Sequence, residues 1–526
     1  MSAKRLTRAF VVSVALGILF VFAASAFAPG SPVVAQSKPV PGVPASCEAL
    51  ASQAFPDATI TLARAIPAGT FTPPDASPTA KPNPALMNLP PFCRVAATLK
   101  PSADSDIKIE IWLPASGWNG KFQAVGNGGW AGSINYGAMG EALKRGYATS
   151  STDSGHVGGG GPWMQRPEKL VDFGYRAVHE MTVKSKAIAA VHYGNGPRLS
   201  YFNGCSGGGR QGFVEAQRFP DDFDGIIAGA PAINTTGRAA FAMWIAQAMH
   251  KDEAGYIPPA KYALVHEAVL KACDAGDGVQ DGVLENPKQC RFDPKVLACS
   301  SGDSSNCLTE LQVESARKTY AALTNPGTKQ EISPGLMPGS EAGWATYGSP
   351  QPFGLGAQMY QHMVFKDPNW DYKTLNFDRD MALTDKIENR VIDAMEPNLK
   401  RYFDRRGKII HYHGWADPQI TPMSSVKYYE SVLETMGGAQ NVAGSYRLFM
   451  VPGMGHCGGG DGTSAFDMVS ALEEWVEKGK VPDQIPASRV RNGAVDRTRP
   501  LCPYPQVAKY SGSGSTDDAR NFVCGR

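Results

Sequence analysis

The chain predicts a mostly parallel α/β sheet flanked by helices, with one large insertion between two of its strands. Three observations carry this. Strand-like and helix-like stretches alternate from about Ile107; the alternation stops after Pro231 and resumes at Lys408; and two short apolar strands run directly into glycine-rich loops, at Gly126 and Gly204. That rhythm belongs to βαβ units, whose connecting loops gather at one edge of the sheet.

Ile107-Lys108-Ile109-Glu110-Ile111-Trp112-Leu113 alternates with period two and reads as a strand. Phe122-Gln123-Ala124-Val125 is a second strand, ending in Gly126-Asn127-Gly128-Gly129. Residues 173 to 193, with Val178, Met181, Ile188 and Val191, read as an amphipathic helix. Leu199 to Asn203 is a strand leading to Ser206, residues 211 to 218 continue as a helix, and Asp224 to Gly229 is the next short buried strand. Residues 233 to 398 break the pattern with four cysteines, many Pro and Gly, several aromatics and a Ser-rich patch at 300–306. Lys408 to Tyr412 and Tyr446 to Val451 restore it. A lobe inserted between two strands of one sheet covers their carboxyl ends, where loops build active sites.

The expected organisation is an export signal over 1–35, the first part of the core over 36–232, an inserted lid over 233–398 and the second part of the core over 399–526. At 526 residues the chain exceeds one small core. Its 51 basic and 49 acidic residues leave +2, which argues against a nucleic-acid partner. Lys4, Arg5 and Arg8 precede an apolar run from about Ala9 to Ala28, the layout of an export signal. Cleavage fits after Ala26, Ala28 or Ala35; an uncleaved anchor is the competing reading, since the run is nearly long enough to span a bilayer. No later segment looks like a membrane span. A secreted or periplasmic location is therefore expected, with no membrane partner after signal removal. Oligomeric state is not set by the sequence.

Ten cysteines, an even number, fit an oxidising compartment. They allow roughly 945 complete pairings, so connectivity stays open. Spacing suggests short loops closed by Cys273 with Cys290, Cys299 with Cys307, and Cys502 with Cys524; Cys47 and Cys93 then remain for each other, and Cys205 for Cys457. No Cys-x-x-Cys spacing supports zinc.

The candidate chemistry centres on Gly204-Cys205-Ser206-Gly207-Gly208, a serine between a predicted strand and a predicted helix. Small neighbours are needed because the serine of such an elbow sits on a sharp, strained turn. A serine nucleophile needs a base, and the base an orienting acid. In an α/β-hydrolase fold these follow in the order Ser, Asp or Glu, His, after successive strands. Asp417 lies just beyond strand 408–412 and His456 just beyond strand 446–451, so both fit. His411 and His413 sit on the acid's side and read as packing or supporting groups. The oxyanion donors expected are the backbone N–H of Gly207 and one from the Gly126–Trp130 loop, Gly129 in preference to Gly128.

In the insertion, Asp274-Ala275-Gly276-Asp277-Gly278-Val279-Gln280-Asp281-Gly282-Val283 interleaves carboxylates with glycines. Such a loop suits a hard cation, or is an Asp/Gly-rich surface turn; its spacing is not that of an EF-hand. Trp344, Tyr347, Phe353, Tyr360, Phe365 and Trp370 are either a wall for an aromatic ligand or the lobe's own core.

The set Cys205-Ser206, Asp417 and His456-Cys457 resembles the pattern of the tannase and feruloyl esterase family, which also includes the esterase that splits mono(2-hydroxyethyl) terephthalate. The similarity runs from about Cys47 to Cys524. It implies a disulfide from Cys205 to Cys457, a lid inserted into an α/β-hydrolase core, and a structural calcium held by Asp274, Asp277 and Asp281 side chains with Val279 and Val283 carbonyls. Gly207 departs from the terephthalate-specific member, which carries an acidic residue there. The expected function is an exported serine carboxylic ester hydrolase for small esters of aromatic acids: feruloyl or hydroxycinnamoyl, galloyl, or terephthalate monoester. A serine peptidase and a catalytically inactive aromatic-ligand-binding protein are the alternatives.

Overall fold

The computed structural model describes residues 44–526 apart from Pro78 and Ala80; the expected export signal lies outside them. Among the described residues no helix is long and apolar enough to cross a membrane.

One nine-stranded sheet forms the frame: β1 (Ala58–Ile66), β2 (Phe92–Leu99), β3 (Ile107–Pro114), β4 (Lys121–Val125), β5 (Ala148–Thr152), β6 (Leu199–Cys205), β7 (Gly225–Gly229), β8 (Lys408–Gly414) and β9 (Tyr446–Val451). Spatially the order is β1-β2-β3-β5-β4-β6-β7-β8-β9. The first three joins are antiparallel and the rest parallel. The parallel strands are covered on both faces, which is why all five residues of β4 and of β7 are buried. At the edge, β1 exposes much of its length, as a strand with one free side does.

Every strand and helix expected from Ile107 onward is present, with one shift. The helix after Ser206 is α2, following α1 (Ala177–Tyr193), and it starts at Gly207 and runs to Arg218, four residues earlier than expected. Three consecutive glycines are poor helix formers, and here packing overrides propensity. A Cβ on Gly209 would lie 2.3 Å from the Gly229 carbonyl oxygen, so only glycine lets α2 press this close to β7. Two regions carried no expectation: the antiparallel edge β1–β2, and C-terminal ribbons built from Ala465–Phe466, Ile485–Arg491 and Ala494–Leu501, and from Val507–Tyr510 with Phe522–Gly525.

Strands β7 and β8 are hydrogen-bonded neighbours, so the chain between them leaves the sheet and returns to the adjacent position. That excursion begins with α3 (Thr235–His250) and continues through short helices and turns. It has its own apolar cluster around Phe241, Met243, Trp344, Tyr347 and Tyr360, which continues into Trp130, Met164 and Phe173 of the sheet's loops. Five disulfides are formed, in the pairs the spacing suggested: Cys47–Cys93, Cys205–Cys457, Cys273–Cys290, Cys299–Cys307 and Cys502–Cys524.

Candidate active site

Ser206 stands where β6 turns into α2, with φ 64° and ψ −121°. For a non-glycine residue this backbone costs on the order of 1–3 kcal/mol and persists only when its surroundings fix it. They do: the Ser206 N–H donates to Gly229 O at 2.9 Å, and its carbonyl accepts from Arg210 N at 3.0 Å and Ala232 N at 3.1 Å. The serine is thus presented at the carboxyl end of the sheet by backbone contacts alone.

The loops after β4 and β6 meet at two glycines. A Cβ on Gly207 would sit 3.2 Å from both the nitrogen and the oxygen of Gly129, whereas a Cβ on Gly128 would meet nothing within 4 Å. Asn127 locks the approach. Its N–H donates to Gln211 Oε1 at 3.0 Å, its Nδ2 to Ser133 O and Thr152 O, both at 2.8 Å, and its Oδ1 accepts from Gln211 Nε2 at 3.1 Å. Gly129 and Gly207 line a small cavity together with Trp130, Leu355, Arg210 and Arg238. Burial lowers the buried Arg210 guanidinium to about 10. It donates to the carbonyls of Gly174 at 2.8 Å and Ile392 at 3.0 Å.

Asp417 follows β8 and is fully buried. Its Oδ1 accepts from Gln419 N at 2.7 Å and Ile420 N at 3.1 Å, and its Oδ2 accepts from His456 Nδ1 at 2.7 Å and His413 Nε2 at 3.0 Å. Burial alone pushes this carboxyl up, but the hydrogen bonds from His413 and His456 outweigh it and hold it well below the usual carboxylate range. With its Nδ1 proton given to Asp417, His456 turns a bare Nε2 outward. This tautomer is assigned from its partners. Cys457, beside it, has φ 62°, and the disulfide brings its Cα within 6.0 Å of Cys205 Cα. Next to His456 lies a cleft of about 360 Å³, lined from the core by Trp415 and Gln419 and from the insertion by Gly343, His266 and Leu284.

The aromatic residues of the insertion pack into the lobe itself. Trp344, Tyr347 and Tyr360 are buried in the lobe's own cluster, and Phe353, Phe365 and Trp370 pack against it. Two of them still reach toward the site. Tyr347 Oη donates to Gln419 O in the acid loop, and Phe353 carries the Arg238 guanidinium over its ring at 4.9 Å.

In the Asp-rich loop each carboxylate caps backbone nitrogens. Asp274 accepts from Asp281 N and Gly282 N, Asp277 from Val279 N and Glu285 N, and Asp281 from Val283 N. Asp277, Val279, Asp281 and Val283 line a cavity of about 20 Å³, room for one water-sized guest. Burial, with Asp281 and Asp274 nearby, raises the Asp277 carboxyl, and burial with Asp277 and Asp281 pushes Glu285 up to about 7. An all-oxygen donor set crowded in this way fits a hard cation. Arg497 and Arg499 offset part of the charge by pairing with Asp281 at 3.2 Å and 2.5 Å. Among the described residues, the His/Asp/Glu group whose ligand atoms converge within 4.8 Å is a different one, His179, Glu215 and Asp222.

The structure therefore brings Asp417 and His456 together, ties the neighbours of Ser206 and His456 by a disulfide, and sets Gly207 against Gly129. Sequence reasoning missed Asn127 and Gln211, and placed His413 near the acid without its direct bond. The signal for the latter was present: His411 and His413 are two residues apart on a strand and so share a face.

A family model described as tannase and feruloyl esterase matches residues 93–525. The chain belongs to the tannase and feruloyl esterase family. It is 38% identical to an uncharacterized esterase of Xanthomonas campestris pv. campestris, covering 91% of each chain. A probable feruloyl esterase B-1 of Aspergillus fumigatus is 35% identical over 82% of this chain and 85% of the relative. The crystal structure of feruloyl esterase B from Aspergillus oryzae superposes with a TM-score of 0.85 at 31% identity, covering 91% of this chain and 99% of that one. Tannin acyl hydrolase from Aspergillus niger, at 23% identity and a TM-score of 0.76 over 90% and 93% of the two chains, shares the fold. This family member is an α/β-hydrolase-fold carboxylic ester hydrolase.

Proposed function

We propose that this esterase cleaves esters of aromatic acids through an acyl-enzyme on Ser206. His456 Nε2 takes the Ser206 proton as Oγ attacks the ester carbonyl, and gives it to the departing alcohol. A water activated by the same nitrogen then releases the acid. Asp417 holds the ring in the required tautomer and stabilises its charged form. Gly207 and Gly129 N–H groups, set side by side where α2 begins, receive the oxyanion. The observation that carries the reading is the 2.7 Å Asp417–His456 bond in a loop fastened to the Ser206 turn by Cys205–Cys457.

The acyl groups expected are feruloyl or other hydroxycinnamoyl, galloyl and terephthalate monoester. Kinship with feruloyl esterases B favours the first. Arg238, which has no carboxylate partner among the described residues and lines the cavity beside Gly129 and Gly207, suits acyl groups bearing a polar or anionic oxygen away from the ester. Bound calcium is proposed on Asp274, Asp277 and Asp281 side chains with Val279 and Val283 carbonyls; it would draw the crowded carboxylates together and brace the loop. Export is supported by the basic and apolar N-terminus and by five disulfides, which persist in oxidising compartments.

Turnover of methyl ferulate, methyl gallate and mono(2-hydroxyethyl) terephthalate, with fluorophosphonate labelling read by peptide mass, tests the proposal. A label on Ser206 and fastest turnover of an aromatic ester are expected. Turnover without Ser206 labelling overturns it.

A further inference from the structure

Behind the Asp417–His456 pair runs a buried line of polar side chains that the reaction as written leaves idle. Tyr446 Oη lies 2.7 Å from His411 Nδ1, His411 Nε2 lies 2.8 Å from Ser425 Oγ, Ser425 Oγ lies 2.6 Å from His413 Nδ1, and His413 Nε2 lies 3.0 Å from Asp417 Oδ2. Tyr446, His411, Ser425, His413 and Asp417 are each 0% exposed, so no water competes for these bonds.

With every ring neutral, only one arrangement of protons satisfies the line. His413 Nε2 faces two acceptors, Asp417 Oδ2 and the Ile420 carbonyl at 3.2 Å, so it carries the proton. Its Nδ1 is then bare and takes the Ser425 hydroxyl proton. Ser425 Oγ in turn accepts from His411 Nε2–H, and His411 Nδ1 accepts from the Tyr446 phenol. Burial, with His413 nearby, keeps His411 far below its ordinary range, and burial keeps Tyr446 far above its own, so both stay neutral. All four bonds point the same way, toward one carboxylate oxygen, and bonds in such a chain polarise one another.

We propose that Tyr446, His411, Ser425 and His413 form a positioning relay that polarises the His413 Nε2–H toward Asp417, so that Asp417 meets His456 as an aligned carboxylate whose charge is already shared. The proposal rests on the reading of Ser206, His456 and Asp417 as the reacting set and deepens it. The other groups around the pair are the Gln419 and Ile420 N–H groups on Asp417, Tyr347 with Arg238 from the insertion, and His266 and Asp461 along the cleft; none of them donates to Asp417 Oδ2. Among the described residues, only His413 shares that oxygen with His456.

Ser425→Ala tests the relay with a small change of volume. Without the hydroxyl, His413 Nδ1 loses its donor, and the Nε2–H, no longer polarised along the line, donates more weakly to Asp417. The carboxylate then concentrates its charge on His456 and favours the protonated imidazole. We expect kcat to fall about tenfold at unchanged KM, with the acid limb of kcat/KM moving to higher pH by about half a unit. His413→Gln, whose amide nitrogen reaches the same oxygen, should recover most of the kcat that His413→Phe loses. Wild-type kcat and an unmoved acid limb in Ser425→Ala, or a His413→Gln no better than His413→Phe, would overturn the relay, whatever the melting temperatures. Ser206→Ala run alongside separates the two readings. If it keeps turnover, the assignment of the reacting set fails and the relay with it; if it is inactive while Ser425→Ala matches wild type, only the relay fails.

Discussion

At the Ser206 turn the backbone does the holding. The serine's own N–H and carbonyl are bonded to Gly229, Arg210 and Ala232, and glycines let α2, the β4 loop and β7 come within van der Waals distance. At the Asp417–His456 corner, side chains do it: one carboxylate collects two imidazoles and two backbone N–H groups, with a polar line behind it. The two corners, joined by Cys205–Cys457, should therefore fail differently. Steric holding fails as loss of fold; electrostatic holding fails as loss of rate and of pH response.

The largest effect is expected at the electrostatic corner. Asp417→Asn presents an N–H to rings that already donate, so His456 is turned into the wrong tautomer; kcat should fall on the order of 10⁴-fold. The same substitution has a stability signature. Because the folded-state carboxyl is depressed, Asp417 contributes stability above the unfolded value of about 3.9, and loses it as pH falls below that. Denaturant titrations at pH 7 and in acid should show a shallower acid loss in Asp417→Asn than in wild type. A rate within tenfold of wild type would erase the contrast between the corners.

At the steric corner, Gly209→Ala sets helix propensity against space. The methyl gains about 1 kcal/mol of propensity but meets the Gly229 oxygen at 2.3 Å and Pro231 Cα at 2.9 Å, both backbone. Overpacking against backbone costs about 1–3 kcal/mol or more, so net destabilisation is expected, seen as a lower urea midpoint. The acid limb of the surviving activity should stay where it is. Between the corners, Cys205→Ala with Cys457→Ala removes the fastening across 252 residues, a loss of about 2–5 kcal/mol. Activity should decline at temperatures where circular dichroism still reports a folded sheet. Full turnover in the double variant would show that the corners hold their places unaided.

The steric corner was the more legible of the two. A glycine-flanked serine after an apolar run announces its turn, because close backbone approach requires residue types that sequence displays. The parallel strands were equally plain, since burial on both faces leaves continuous apolar runs such as Gly225 to Gly229. The electrostatic corner was half visible: Asp417 and His456 follow their strands, but the partner of a buried histidine depends on side-chain direction across elements, so Ser425 and Tyr446 gave no sign. Asn127 was hidden for the same reason, being one more polar residue in a glycine loop until its five bonds are seen. The C-terminal ribbons escaped because two- to eight-residue strands pinned by Cys502–Cys524 and by Arg497 and Arg499 owe little to apolar patterning.

The Asp-rich loop mixes the two modes and gives the smallest effect. Cys273–Cys290 closes it covalently, Asp274 and Asp277 cap its turns, and Arg497 and Arg499 hold Asp281 from the C-terminal strand. A bound calcium would add to supports that already exist, so its removal should loosen the loop without dismantling the lobe. For a site near saturation at 100-fold excess over Kd, linkage gives about 2.7 kcal/mol, a fall of about 2–4 °C in Tm for a protein of this size. Val283 lines both the small acidic cavity and the cleft beside His456, so the loosening reaches the base loop, and KM should rise before kcat falls. Calcium, and not magnesium, should restore both after chelation, because the loop offers many flexible oxygens and not a tight octahedron. An unchanged Tm in chelator would mean that the arginines and the disulfide suffice, and would move this loop wholly to the covalent and ion-paired side of the comparison.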